Sequence, residues 1–262
     1  MQKNIEPTLE KIYKKYNKRE FVHPDPLEFL FSYKNIRDRE IVALIASSLA
    51  YGRVAQILKS VSSVLKTLTP SPYQFLMKTS FQSLSSTFKG FRHRFADGRQ
   101  LSSLLFGAKK TIAEYGSLNR CFTHTLASDD STIINALTFF SNKLNSCRST
   151  PGHLVALPQR GSACKRMNLF LRWMVRRDDV DPGGWDDVSP SKLIIPLDTH
   201  MYRIGLLLGF TDRRQMDMRT ALEITSGFQK FIPNDPVKYD FALTRFGIRN
   251  DLSADDFDRY FN

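Results

Sequence analysis

Between Leu193 and Gly209 the chain reads Leu-Ile-Ile-Pro-Leu-Asp-Thr-His-Met-Tyr-Arg-Ile-Gly-Leu-Leu-Leu-Gly, and Asp198 is its only carboxylate. An apolar run feeds Pro196 and then Asp198, a residue type preferred at a helix N-cap. Behind it Met201, Ile204, Gly205 and Leu208 recur at helical spacing, and Gly209 supplies a stop signal. The segment therefore holds one carboxylate at the mouth of a helix and buries what surrounds it.

The same helical logic extends along the chain. Glu6–Tyr16 forms an amphipathic pattern, and His23-Pro-Asp-Pro26 is a rigid entry to a short helix around Leu27–Tyr33. Asp38-Arg-Glu opens the apolar helix Ile41–Ala50, Tyr51-Gly52-Arg53 interrupts it, and Val54–Leu68 resumes the pattern. The Phe-rich segment Phe75–Phe95 offers Phe88, Phe91 and Phe95 as packing points between helices. Helices follow over Leu101–Tyr115, after Gly116-Ser117, and from a cap in Asp129–Thr132 to about Leu144. Asn145–Gly152 is loop-like. The last third adds helices over Ala163–Arg176, from Asp198, over Arg214–Phe231, and over Val237–Phe246 with Gly247 as C-cap. No alternating strand pattern persists. The expected class is all-α, a single compact unit over 1–262 of two intimate helical lobes with a cleft between them. One lobe would cover 40–160; the N-terminal helices and 161–262 would form the other.

Composition narrows the partners. Thirty-eight Lys and Arg against 26 Asp and Glu give a formal charge of +12 across 262 residues. Such an excess favours polyanions, because each phosphate neutralised releases counterions; a basic surface that binds nothing is the competing reading. Cys121, Cys147 and Cys164 fit no disulfide framework and no metal cluster, and the residues imply neither metal nor cofactor. The charged N-terminus lacks a signal core, and no apolar stretch approaches membrane-span length. The expectation is a soluble, cytoplasmic monomer with no membrane contact.

A second helix start lies upstream. In Gly161-Ser-Ala-Cys-Lys-Arg-Met-Asn168, Ser162 is an N-cap candidate and Lys165 falls in the first helical turn. Lys165, Leu169, Arg172 and Arg176 share one stripe of that helix. Read alone, the stripe is a solvated basic face, just as Asp198 alone is a helix cap. Read as a first-turn amine near a positive helix end, Lys165 is a nucleophile candidate. The turn-rich connection Arg177–Pro190 is long enough to bring the two helix starts together.

Pro196-Leu-Asp-Thr-His-Met-Tyr-Arg203 resembles the Val-Asp-x-His-x-x-Arg segment of the helix-hairpin-helix DNA glycosylases that carry a Gly/Pro-rich loop and a catalytic aspartate. Leu157-Pro-Gln-Arg-Gly-Ser-Ala-Cys-Lys165 resembles a variant of their hairpin, with two residues inserted and Gln159 in place of the first glycine. Lys165 and Asp198 are 33 positions apart, a long separation that is similar to the archaeal 8-oxoguanine glycosylase branch. Over nearly its full length the chain is most similar to an uncharacterised bacterial protein family marked by Gly-Ser-Ala-Cys-Lys-Arg-x-Asn-x-Phe-Leu-Arg-Trp-Met-Val, here Gly161–Val175.

The glycosylase resemblance implies a base excision repair enzyme acting on an oxidised purine in duplex DNA. Lys165 would attack C1′, Asp198 would assist base departure, and an AP (β-) lyase step would follow. A non-catalytic nucleic-acid-binding protein on the same fold is the alternative, with RNA an open partner. Extruding a base also needs stacking and hole-filling groups. Tyr51 beside Gly52 and Arg53 is the candidate for the hole; Trp185, after two glycines, and Trp173 are the candidates for stacking. Gly161, Ser162, Arg53, Arg203 and Arg245 are candidate nucleic-acid contacts, with Arg249 beside them. His200 has no ligand partner at metal spacing.

Overall fold

The computed structural model describes residues 5–146, 149–249, 252, 257, 259 and 260. Cys147 lies outside them. The described chain is predominantly helical. The order is α1 (Ile5–Tyr16), α2 (Ile36–Ser48), α3 (Val54–Thr67), α4 (Pro72–Lys78), α5 (Phe81–Thr87), β1 (Arg92–His93), β2 (Ala96–Asp97) and α6 (Gly98–Tyr115). It continues with α7 (Leu118–Thr123), α8 (Ile134–Leu144), α9 (Lys165–Val175), α10 (Thr199–Leu207), α11 (Met218–Gln229) and α12 (Asp240–Ile248). Short 3-10 turns fill several of the connections.

Helix α2 is the central element. Its residues from Glu40 to Ser48 are all buried, which suits a helix apolar on every side. It packs against α9 and against the 3-10 segment Pro26–Ser32. Glu40 is the charged residue of that buried run, and both of its carboxylate oxygens are bonded. It accepts from the backbone N–H groups of Leu118 and Asn119 at the start of α7, and from Trp185 Nε1 at 2.8 Å. Burial raises the Glu40 pKa against these hydrogen bonds.

Local chemistry sets the element ends. Asp97 and Gln100 form a reciprocal capping box on α6, and Gly116 ends it at φ +88. Within α6, Gly107 faces α8 so closely that a Cβ there would lie 2.2 Å from the Leu144 carbonyl oxygen. Asp217 caps α11 through the Thr220 N–H.

Three elements depart from the sequence expectation. The 75–95 stretch is two short helices and a two-stranded antiparallel hairpin, with Arg92 opposite Asp97 and His93 opposite Ala96. Phe88 is buried and Phe91 packs against the core, but Phe95 is 77% exposed and is no packing point. Ser162 does not cap α9: the residue before it is Cys164, at φ +50, with no side-chain cap, while Ser162 Oγ accepts from Cys164 N–H. Gly247 is no C-cap either. It lies inside α12, where a Cβ would come within 1.9 Å of His200 Nδ1, so the missing side chain makes room for that ring.

The stripe on α9 is not solvated. Arg172 and Arg176 are 3% and 4% exposed, and each is held by carboxylates. Arg172 bridges Asp181 in the connection and Asp240 on α12. Arg176 binds Asp178 at 2.8 Å, Asp235 at 2.9 Å, and Asp181. The connection thus folds back on α9, with Gly183 N–H donating to Trp173 O and Trp185 N–H to Met174 O.

Removing one partner from a buried ion cluster strands the others, at a cost of about 3–5 kcal/mol. Arg172→Leu leaves Asp181 and Asp240 buried without their shared cation. Its denaturant midpoint at neutral pH is expected to fall accordingly, with partial recovery at acidic pH as the carboxyls protonate. An unchanged midpoint would show that the cluster does not carry the fold.

Candidate functional site

A cleft of about 700 Å³ opens beside the first turn of α9. Its walls come from the α2–α3 break, the hairpin, α9, the start of α10, and α12. Lys165, the first residue of α9, and Asp198, the cap of α10, meet there with Nζ and Oδ2 3.2 Å apart. The lysine side chain is 34% exposed and the aspartate 17%, so the pair is open to solvent from one side.

The two oxygens of Asp198 divide their work. Oδ1 accepts from the backbone N–H groups of His200 and Met201, at 2.9 and 3.0 Å, and so caps α10. Oδ2 is left to face Lys165. Burial pushes this carboxyl up, but the Lys165 charge and the Met201 N–H outweigh it, and its pKa is lowered from the usual aspartate value. Its ionised form therefore contributes stability above the ordinary aspartate range, and that contribution is lost as pH falls through its native pKa.

Beneath the pair lies Asp240, 2% exposed and bound to Arg172. Burial pushes its carboxyl up to about 6, helped by the Asp198 charge and opposed by Arg172. Arg245 is equally buried, paired with Asp25 at 2.9 Å and lying over the Phe241 ring. Arg166 lines the opposite wall. It donates to Ser48 O at 3.1 Å and to His153 O, and its guanidinium lies 4.9 Å from the Tyr51 ring centre. Desolvation by this burial lowers its pKa. Cys164, next to Lys165, is buried, and its thiol is pushed up to about 11, so it stands there as a neutral group.

The cleft collects some of the residues singled out in the sequence and leaves others out. Lys165, Asp198, Tyr51, Arg53, His200 and Arg245 all line it. Tyr51 is unsuited to filling a duplex, because its hydroxyl donates to His93 O at 2.9 Å and also lies 3.0 Å from His153 Nε2. Trp173 and Trp185 are 1% and 0% exposed, so neither can stack on an entering base. Trp185 is a core residue among Phe122, Phe140 and Phe170. Arg245 is a buried ion-pair partner, which removes it as a surface phosphate contact. Gly161 and Ser162 lie outside the cleft lining: the Gly161 N–H goes to Pro158 O, and its carbonyl accepts from Met218 N–H. Arg203 is exposed on α10 beside a separate apolar groove. Arg249 donates to His23 O at 2.8 Å.

Sequence reasoning missed Asp25, Asp240, Arg166 and Phe95, all of which line the cleft. Asp25 reads only as part of a helix entry and Asp240 only as one residue within the helix Val237–Phe246, and Arg166 falls outside the Lys165 stripe. Among the described residues, no group of three or more His, Cys, Asp or Glu side chains is placed to hold a metal ion, and no helix is long and apolar enough to cross a membrane.

Because Asp240 holds its proton to about pH 6, carboxyl-carbon NMR of the native protein is expected to show one aspartate titrating near that value. The resonance should vanish in Asp240→Asn. A native pKa raised above the unfolded one means the stabilisation is fully present below the ordinary aspartate range and is lost as pH rises through about 6. Finding Asp240 ionised at pH 4.5 would contradict the assignment.

No curated protein and no solved structure gives a significant match to the chain. The family described as protein of unknown function (DUF2400) matches residues 25–249, a span that holds every cleft-lining residue except Pro24, and the chain belongs to that family.

Proposed function

We propose that the chain is a DNA glycosylase with AP lyase capacity, built on a helix-hairpin-helix glycosylase-like arrangement and acting on an oxidised purine in duplex DNA. The observation that carries this reading is the 3.2 Å pairing of Lys165 Nζ with Asp198 Oδ2 at two converging helix starts inside one cleft. An amine and an ionised carboxylate at this spacing suit a reaction in which positive charge develops at a sugar carbon. The +12 charge of the chain suits a polyanionic substrate.

In the proposed reaction the bond between C1′ and the base nitrogen breaks, and the base leaves with the bonding pair and takes one proton from the Lys165 ammonium, while Asp198 Oδ2 stabilises the cationic C1′. The freed amine Nζ bonds to C1′, and Oδ2 accepts a second Nζ proton. Oδ2 passes that proton to the ring oxygen as the bond from C1′ to that oxygen breaks, and a protonated Schiff base remains. Loss of a C2′ proton to water then expels the 3′ phosphate.

Borohydride reduction of that Schiff base locks protein to DNA and reads the lysine directly. Across a panel of duplexes with single oxidised purines, the native protein is expected to trap on at least one. Lys165→Gln is expected to trap on none. Asn still caps a helix, so Asp198→Asn keeps the α10 start and removes only the charge. It should slow base release by about 100-fold or more while leaving the melting temperature little changed. Undiminished trapping by Lys165→Gln would overturn the lysine's role. Salt-sensitive DNA binding with no trapping on any lesion would reduce the protein to a binding module.

A further inference from the structure

The hairpin between α5 and α6 places an aromatic side chain where no fold requirement puts it. Phe95 is the most exposed large apolar residue in the described chain, at 77%. It sits at the two-residue tip Arg94-Phe95, it lines the same cleft as Lys165 and Asp198, and exposed Arg92 and Arg94 flank it. The Arg94 guanidinium lies 5.5 Å from its ring centre.

The tip is held firmly from below. His93 is fully buried, with Nδ1 2.9 Å from Ser60 Oγ and Nε2 3.1 Å from Tyr51 O. Tyr51 Oη donates to the His93 carbonyl. On the other side, Asp97 belongs to the capping box of α6, and a Cβ on Gly98 would lie 1.7 Å from Phe88 O. Arg94 adopts φ +53, a left-handed conformation uncommon for a non-glycine residue, and its Cδ would lie 2.5 Å from a Cβ on Gly52. The α2–α3 break is therefore the seat of the hairpin, and the tip projects as a rigid probe rather than a loose loop.

A rigid apolar ring between cations, at the mouth of a cleft, matches the side chains that enter a base stack while neighbouring arginines take the phosphates. We infer that Phe95 is the wedge of this protein: it enters the duplex at the position vacated by the extruded nucleotide, with Arg94 and Arg53 on the flanking backbone. This rests on the reading of the cleft as a DNA site, and it replaces Tyr51 in that role.

The test uses Lys165→Gln as the background, so that no covalent step contributes. The probe is a duplex with a tetrahydrofuran abasic analogue and a neighbouring 2-aminopurine, compared with the same duplex intact. With Phe95 present, binding is expected to favour the abasic duplex and to raise 2-aminopurine fluorescence as its stack opens. Phe95→Ala, a surface change, should keep the melting temperature and the salt-sensitive binding to intact duplex. It should lose about tenfold or more on the abasic duplex, together with the fluorescence rise. Phe95→Trp should restore both. Equal preference and equal fluorescence in Phe95→Ala would overturn the wedge and leave the lysine chemistry untouched. No binding to either duplex at low salt would overturn the wedge and the DNA reading together.

Discussion

Two buried guanidinium groups, Arg172 on α9 and Arg176 at its C-terminal end, hold the site in register. A cation removed from water is tolerated only when carboxylates surround it, and breaking one pair strands the rest. Arg172 and Arg176 meet that condition with Asp178 and Asp181 in the connection, Asp235 before α12 and Asp240 within it. The distance between Lys165 and Asp198 follows from this arrangement. Lys165 starts the helix that carries Arg172 and ends at Arg176, and α12 packs against α10, which Asp198 caps. Neither helix start can drift without disturbing a buried pair.

The same cluster explains why a 33-residue separation still gives a 3.2 Å contact. The connection is not a mobile span. Asp178 Oδ1 takes the N–H groups of Val180 and Asp181, Trp185 fills an aromatic pocket, and Glu40 receives the indole N–H. Its glycines serve the fold: Gly184, at φ +131, comes so close to Ile36 that a Cβ would lie 2.1 Å from Cδ1. A glycine pair marks close approach as readily as freedom, and here it precedes a tryptophan that is core rather than a stacking group.

The helices and the Asp198 cap were legible because they rest on local signals, apolar periodicity and cap chemistry, whereas the pairing with Lys165 rested on the resemblance and the long connection. The rest depended on tertiary context. The arginine stripe on α9 has the spacing of a solvated face, and only the carboxylates arriving from the connection and α12 make it a core. Gly247 looked like a stop signal but answers to the His200 ring across the helix pair. Phe95 looked like one more core aromatic in a Phe-rich run, since a hairpin with two-residue strands leaves too short an alternation to read. Asp240 carries no local mark at all. Its raised pKa comes from full burial beside Asp198, which no spacing along the chain reveals.

Charge is distributed unevenly about the cleft, and the unevenness bears on what it can do. The cleft is lined by five cations (Arg53, Lys165, Arg166, Arg172 and Arg245) and three carboxylates (Asp25, Asp198 and Asp240). At the rim stand the exposed Arg53 and Arg94, in a chain whose total is +12. Below the rim Arg172 and Arg245 are bound by Asp240 and Asp25, so under the proposed function the rim cations, rather than these two, would meet the phosphates. Asp198 Oδ2, which faces the cleft beside Lys165, favours a state in which a bound group turns cationic. Burial holds the Asp240 proton only up to about pH 6, so at neutral pH Asp240 pairs with Arg172 as a carboxylate, and Asp198, fixed by two backbone N–H groups, is the one that faces Lys165.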